Sequence, residues 1–166
     1  MKANGFGLNM IPDSFWKRMK NIQRLHLRLY AGGKGWIVGR FILLLTHTGR
    51  KSGTRYVTPL QYEKIDGAYC VGAGRGLKVD WYRNILADPH VVIQVNRFEF
   101  DCVAEPVTDP GRVADFLEYR RKHHPLMIGL LMKFAHKLPM HPSRAQFLEL
   151  SKSTPLVILR PSPEAA

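Results

Sequence analysis

The sequence predicts an α+β protein built on a barrel of five or six short strands, and three observations carry that prediction. Apolar and β-branched residues recur in strand-length runs, at Phe41–His47, Arg55–Lys64, Ala68–Ala73, Val91–Asn96, Phe98–Val107 and Pro155–Arg160. Asp66-Gly67, between the second and third runs, is a two-residue hairpin signal. Helical segments interrupt the strands in the order helix, three strands, short helix, two strands, helices, strand. That order lacks the strand–helix alternation of a parallel sheet and suits a barrel with inserted helices.

Residues 13–30 read as an amphipathic helix. Asp13 can cap its start. Phe15, Met19, Ile22, His26 and Leu29 share one face, and Lys17, Lys20, Arg24 and Arg28 fall opposite. Two readings stay open: a helix packed on the barrel with a solvated basic side, or one that touches anionic lipid headgroups. The glycine-rich Ala31–Gly35 stretch ends it, so residues 1–35 form an N-terminal helix and linker. Phe41–His47 is nearly continuous in apolar residues, as a buried strand is. Val79–Leu86 reads as a short helix stopped near Asp88-Pro89. In the fifth run, Phe98, Phe100, Cys102 and Ala104 alternate with Glu99, Asp101 and Glu105, one face for core and one for water. Asp109 and Pro110 suit the N-cap and first position of a helix reaching about Lys122. Residues 126–138 and 143–151 also read as helical, and the tail 161–166 is expected to be loose. No repeat or interdomain linker divides residues 1–166, which are expected to form a single domain.

A chain of 166 residues can bury one substantial core. With 45% hydrophobic residues it is composed like a folded globular protein rather than a disordered one. Charge is the outlier: 25 Lys+Arg against 13 Asp+Glu leave a net of +12. Such a chain attracts anions, whether nucleic acid, anionic lipid or a polyanionic small molecule. Cys70 and Cys102 stand alone in predicted strands, which points to reduced, buried thiols. His123, His124, His136 and His141 match no common metal spacing, so no metal is expected. No secretory signal is visible, and the longest apolar stretches, Trp36–Leu45 and Leu126–Met132, are too short to span a bilayer. The expected location is the cytoplasm, with helix 13–30 as the part that would touch the inner membrane face.

The most informative stretch is Thr46-His-Thr-Gly-Arg-Lys-Ser-Gly-Thr-Arg55, which links two predicted strands. Gly49 and Gly53 permit turns that aim several N–H groups at one anion. Arg50, Lys51 and Arg55 add charge, and Thr48 and Ser52 add hydroxyls. A plain basic surface hairpin is the other reading. It is not a Walker loop, because the second glycine is followed by Thr54-Arg55 and a strand. Gly72-Ala-Gly74-Arg-Gly76 is not a dinucleotide fingerprint either, since its glycines are misplaced. In Asp80-Trp81-Tyr82-Arg83-Asn84, Trp81 and Asn84 share a helix face, where an indole and an amide can meet a planar ring. Core packing for Trp81 and a solvent position for Asn84 is the alternative. The Met- and Leu-rich segment 126–138 reads either as a cap on the core or as a wall of a hydrophobic substrate site.

Together these segments resemble the deazaflavin-dependent nitroreductase family, the branch of split-barrel flavin proteins that uses coenzyme F-420. The resemblance runs from about Trp36 to Pro161. It rests on Leu-Leu-Thr-His-Thr-Gly-Arg-Lys-Ser-Gly (44–53), Thr-Pro-Leu (58–60), Asp-Trp-Tyr-Arg-Asn (80–84), Ala-Asp-Pro (87–89) and Ile-Gln-Val-Asn (93–96). It implies a six-stranded antiparallel split β-barrel with the cofactor across a surface groove. It implies that Arg50, Lys51 and Ser52 hold the cofactor's phosphate and acidic tail, with Thr48 and Arg55 in the same loop. Gly74, Arg75 and Lys78 would close on the phosphate, and Trp81 and Asn84 would line the deazaflavin ring. The chain departs from many relatives in carrying Tyr56 where they have arginine, with Arg55 one position earlier. It also has a shorter loop between Gly74 and Trp81.

The implied reaction is hydride transfer from reduced F-420 to a small lipophilic acceptor: a quinone, a nitroaromatic or an activated alkene. The cofactor carries the hard chemistry, so no catalytic triad or carboxylate pair is required. Tyr119 is a candidate proton donor by family position, and packing beside Phe116-Leu117 is the alternative role. FMN or haem in place of F-420 suits the same barrel. A non-catalytic carrier of a lipophilic ligand and a basic nucleic-acid-binding barrel are the competing functions. The second is disfavoured because most aromatics alternate into predicted core faces rather than standing free to stack on bases. Monomer and homodimer both remain open.

Overall fold

The computed structural model describes residues 40–162. The predicted helix 13–30 and its linker, and residues 163–166, lie outside the described residues. Six strands, β1 (Ile42–Thr48), β2 (Arg55–Ile65), β3 (Ala68–Gly72), β4 (His90–Val95), β5 (Phe98–Val107) and β6 (Leu156–Pro161), form a closed antiparallel barrel. Around it the described residues form α1 (Asp80–Ala87), α2 (Pro110–His123), α3 (Pro125–Ala135) and α4 (Arg144–Ser151). The order around the barrel is β1-β2-β3-β6-β5-β4, and β4 returns to pair with β1.

Local chemistry accounts for most element ends. Asp66 (φ 49°) and Gly67 (φ 79°) both take the left-handed conformation of a tight hairpin between β2 and β3. Asn96 (φ 56°) does the same for the turn into β5, so β4 ends one residue earlier than its apolar pattern suggests. Asp109 caps α2, its carboxylate accepting from the Arg112 N–H at 2.8 Å, and Pro110 occupies the first turn. Ser143 and Gln146 form a reciprocal capping box at α4. The helix predicted over 126–138 stops at Ala135, because Lys137 turns left-handed (φ 54°) before Pro139. Pro161, expected in the tail, ends β6 opposite Cys102, where a strand tolerates a residue without an N–H.

Two apolar clusters lie on the two sides of the barrel wall. Leu43, Leu45, Val71, Ile93, Val157 and Leu159 fill the interior with Trp81, Tyr82 and Ile85 from α1. Outside, Ala68, Cys70, Leu156 and Ile158 pack against Val113, Phe116, Leu117, Ile128, Met132 and Phe147 of the helices. Strands β3 and β6 are therefore buried on both faces, which explains their unbroken apolar runs. Cys70 belongs to the outer cluster and Cys102 to the inner one, so the wall separates them. Both are free, and burial pushes their thiols up to about 11 and about 12.

Candidate functional site

The turn between β1 and β2 is built from its own backbone. Gly49 N–H donates to Thr54 O and Gly53 N–H to Gly49 O, both at 2.8 Å, while Thr54 N–H donates to Ser52 Oγ at 3.2 Å. Gly53 takes φ 67°. A Cβ on Gly49 would lie 2.7 Å from the Tyr56 ring and 2.8 Å from Ser52 Oγ. Most N–H groups of the turn are thus engaged within the protein, and it is not the open backbone nest its glycines suggested. An anion held there would meet mainly side chains.

Arg50 ties this turn to α1. Its backbone N–H and its guanidinium Nη1 both donate to Asn84 Oδ1, at 3.2 and 2.8 Å. Its Nη2 reaches Asp80 Oδ1 at 3.1 Å. Because a guanidinium only donates, Asn84 must present its oxygen to Arg50 and its NH2 to His47 Nδ1, 3.1 Å away. His47 is then the neutral tautomer that donates from Nε2 to Thr58 Oγ1 at 3.0 Å. Burial holds the His47 imidazole below its ordinary pKa, against the smaller opposite pull of Asp80. The chain Asp80–Arg50–Asn84–His47–Thr58 joins three elements through one buried amide, with Asn84 only 4% exposed.

Both ends of that chain, Asp80 and Thr58, line a groove of about 710 Å³. Gly74, Arg75, Lys78 and Trp81 border it from the β3–α1 segment. Phe116, Leu117 and Arg120 of α2, with Leu131, Met132 and His136 of the α3 region, form the facing wall. The volume is that of a cofactor-sized cleft, and the lining is mostly apolar with a few polar groups, as such clefts are. The first turn of α1 borders the groove without a side-chain cap, and its Asp80 carboxylate is paired with Arg50. Lys78 at the groove and Lys51 on the turn make no ion pair among the described residues. A flavin-sized group with an acidic tail fits these residues: a planar part against Trp81 and the apolar wall, an anionic part toward the cationic rim.

The predicted residues separate into three groups. Gly74, Arg75, Lys78 and Trp81 share the groove. Arg50, Lys51, Ser52 and Asn84 belong to the turn and its anchor, with Asn84's amide turned to Arg50 and His47. Thr48 and Arg55 border a second cavity of about 500 Å³, with His47, His90 and Asp101. That cavity opens where β1 and β4 splay apart beyond the Thr46–Val92 pair. Tyr119 lies off both: its ring stacks on His123 at 4.0 Å, and the groove takes the α2 positions on either side of it. Among the described residues, no three His, Cys, Asp or Glu side chains converge as a metal site.

Sequence reasoning missed three contributors. His47 continues the inward alternation of Leu43 and Leu45, so a polar residue at that position was a readable sign of a buried network. Arg120 is buried beside the groove, its Nε on Glu63 Oε1 and its Nη2 on Gln61 Oε1, both at 3.1 Å. His124 Nε2 contacts the other Glu63 oxygen at 3.3 Å. Nothing in the local pattern of residues 61–63 or 120–124 foretold that pairing.

Comparison with known proteins bears on this geometry. The sequence profile of the F420H(2)-dependent quinone reductase family matches residues 22–128. An F420H(2)-dependent quinone reductase of Mycobacterium tuberculosis strain H37Rv is 36% identical over 92 residues, covering 51% of this chain and 62% of the relative. The chain thus spans about three fifths of the length of the curated relatives it matches. A solved F420-H2 dependent reductase aligns with TM-score 0.51 at 23% identity, over 73% of this chain and 95% of that one. Another solved chain, described as a domain-swapped dimer, aligns with TM-score 0.53 at 22% identity, over 90% and 100%. These likenesses establish the split-barrel fold.

Proposed function

Because the chain belongs to the F420H(2)-dependent quinone reductase family, we propose that it is an oxidoreductase that binds reduced coenzyme F-420 in the groove between the β3–α1 segment and α2. The carrying observation is the groove itself: Lys78 and Trp81 on one side, an apolar wall facing them, and Asp80 of the lining ion-paired to Arg50 of the β1–β2 turn. When bound, reduced F-420 supplies a hydride to a quinone or another small lipophilic acceptor such as a nitroaromatic or an activated alkene.

The chain's own residues bind, orient and shield. Lys51 and Lys78 neutralise the phosphate and acidic tail, as ammonium point charges do. Ser52 offers a hydroxyl beside them. Arg50 is largely spent on Asn84 and Asp80, so its first task is to hold the turn. Trp81, nine-tenths buried, gives a flat apolar surface for the ring. Phe116, Leu117, Leu131 and Met132 exclude water from the acceptor's side and accept an apolar ring. Tyr119 is not among the residues lining that wall, and we assign the proton to solvent at the groove mouth.

Titration with F-420, followed by the cofactor's fluorescence, tests this reading. Binding in the micromolar range is expected, with strong weakening in the Arg50→Ala, Lys51→Ala double variant. Equal affinity in the variant, or preferential binding of FMN, would overturn it.

A further inference from the structure

Helix α3 carries three faces, and among the described residues only two are packed against other elements or the groove. Ile128, Met132 and Ala135 are buried in the outer cluster. Leu131 and Met132, with His136 just beyond, line the groove. Leu126, Leu130 and Phe134, four residues apart, form an outward stripe that is 66%, 40% and 58% exposed. Phe41, 48% exposed, meets His124 edge-on at 6.0 Å and extends this apolar patch at the N-terminal end of α3.

The surroundings of the stripe are cationic. From Arg120 to His141 the chain contains no Asp or Glu, while Arg120, Arg121, Lys122, Lys133 and Lys137 fall within it together with four histidines. Lys133 is the one charged side chain within α3, and its ammonium sits 5.9 Å from the Phe134 ring centroid. Carboxylates on the neighbouring elements are already paired: Glu63 is buried with Arg120 and His124, and Glu118 binds Arg144 at 2.8 Å. An exposed apolar helix face flanked by lysines and free of acid is the pattern of a helix lying in the plane of a lipid interface.

We propose that the outer face of α3 docks on an anionic lipid bilayer, with Leu126, Leu130 and Phe134 entering the headgroup boundary and Lys122, Lys133 and Lys137 meeting lipid phosphates. Docking places the α3 wall of the groove against the bilayer, so an apolar acceptor dissolved in lipid reaches Leu131 and Met132 without crossing water. The docking stands without the redox reading, since no part of it uses the cofactor.

The test is co-sedimentation of the full chain with vesicles of phosphatidylglycerol and phosphatidylcholine, compared with phosphatidylcholine alone. Binding to the anionic vesicles is expected, falling about tenfold or more in Leu130→Ser, Phe134→Ser and weakening in Lys133→Glu, Lys137→Glu. Residues 13–30 are unchanged in every variant, so equal binding by wild type and both variants would assign the membrane to another surface and overturn the proposal. Absence of wild-type binding would do the same. A second readout guards against misfolding. The native cysteines are buried, so an environment-sensitive fluorophore on F134C reports this face alone. Its emission should shift to the blue with anionic vesicles and be quenched by spin-labelled acyl chains; an unshifted spectrum would overturn the proposal. Light scattering that finds a dimer dispersed to monomers by Leu130→Ser, Phe134→Ser would assign the face to a second copy instead.

Discussion

Asn84 Oδ1 accepts both the backbone N–H and the guanidinium of Arg50, at 3.2 and 2.8 Å, so one buried amide on α1 sets where the β1–β2 turn stands. The same amide hands its NH2 to His47. The position of the cationic turn against α1 therefore depends on a neutral histidine inside the protein.

The first prediction concerns that amide. Asn84→Leu leaves the Arg50 N–H and His47 Nδ1 without partners, and should cost about 2 kcal/mol or more in urea unfolding. Asn84→Asp keeps an acceptor for Arg50 but offers His47 no donor. The imidazole must then supply the proton itself, so its pKa should move above the ordinary value instead of below it, as an NMR titration of the ring would read.

The second concerns pH. His47 and His136 are both held below their ordinary pKa by burial. The unfolded chain therefore binds more protons than the folded one between the lowered values and about pH 6.5. Stability should be full above that pH and decline as pH falls through the folded values. Urea unfolding across this range should show the decline, and His47→Gln should flatten part of it.

Lys78 carries the third. It lines the groove without an ion-pair partner among the described residues. Lys78→Ala should weaken F-420 binding about tenfold, the worth of one charge-assisted contact, and leave the unfolding midpoint nearly unchanged. Loss of stability with unchanged affinity would assign the lysine a structural role.

Gly49 carries the fourth. A methyl group there would press on the Tyr56 ring, on Ser52 Oγ and, at 3.2 Å, on the Thr54 carbonyl oxygen. Gly49→Ala should destabilise the fold by about 1 to 3 kcal/mol and displace Arg50 and Lys51. Weakened cofactor binding should accompany the stability loss.

The fifth isolates the buried pair beside the groove. Glu63 and Arg120 side chains are only 12% and 8% exposed. Glu63→Gln strands a buried guanidinium and should lower stability by about 3 kcal/mol. A melting temperature equal to that of the wild type would show the pair to be dispensable.

Much of the fold was legible because its signals are local. The Asp66-Gly67 turn, the Asp109-Pro110 helix start and the alternation in β5 each act over a few residues, and the barrel shows each of them. Boundaries slipped where a backbone angle mattered more than hydrophobicity, as at Asn96 and Lys137. The site was legible in part. The resemblance singled out Gly74, Arg75, Lys78 and Trp81, which border the groove, but most of the turn's N–H groups are engaged within the protein and Tyr119 is not part of the groove lining. Helix phase decides the latter, since Phe116, Leu117 and Arg120 take the inward positions.

The sequence by itself determined which segments become strands and helices, where the main turns fall, and that the surface is cationic. Those properties follow from periodicity, turn chemistry and charge, which neighbouring residues settle among themselves. Only the tertiary structure decided that β4 closes on β1, that Asn84 meets Arg50 and His47, and that Glu63 meets Arg120. Such contacts join residues far apart along the chain, and no period in the sequence encodes them. They form because burying one polar group obliges the fold to bring another to it.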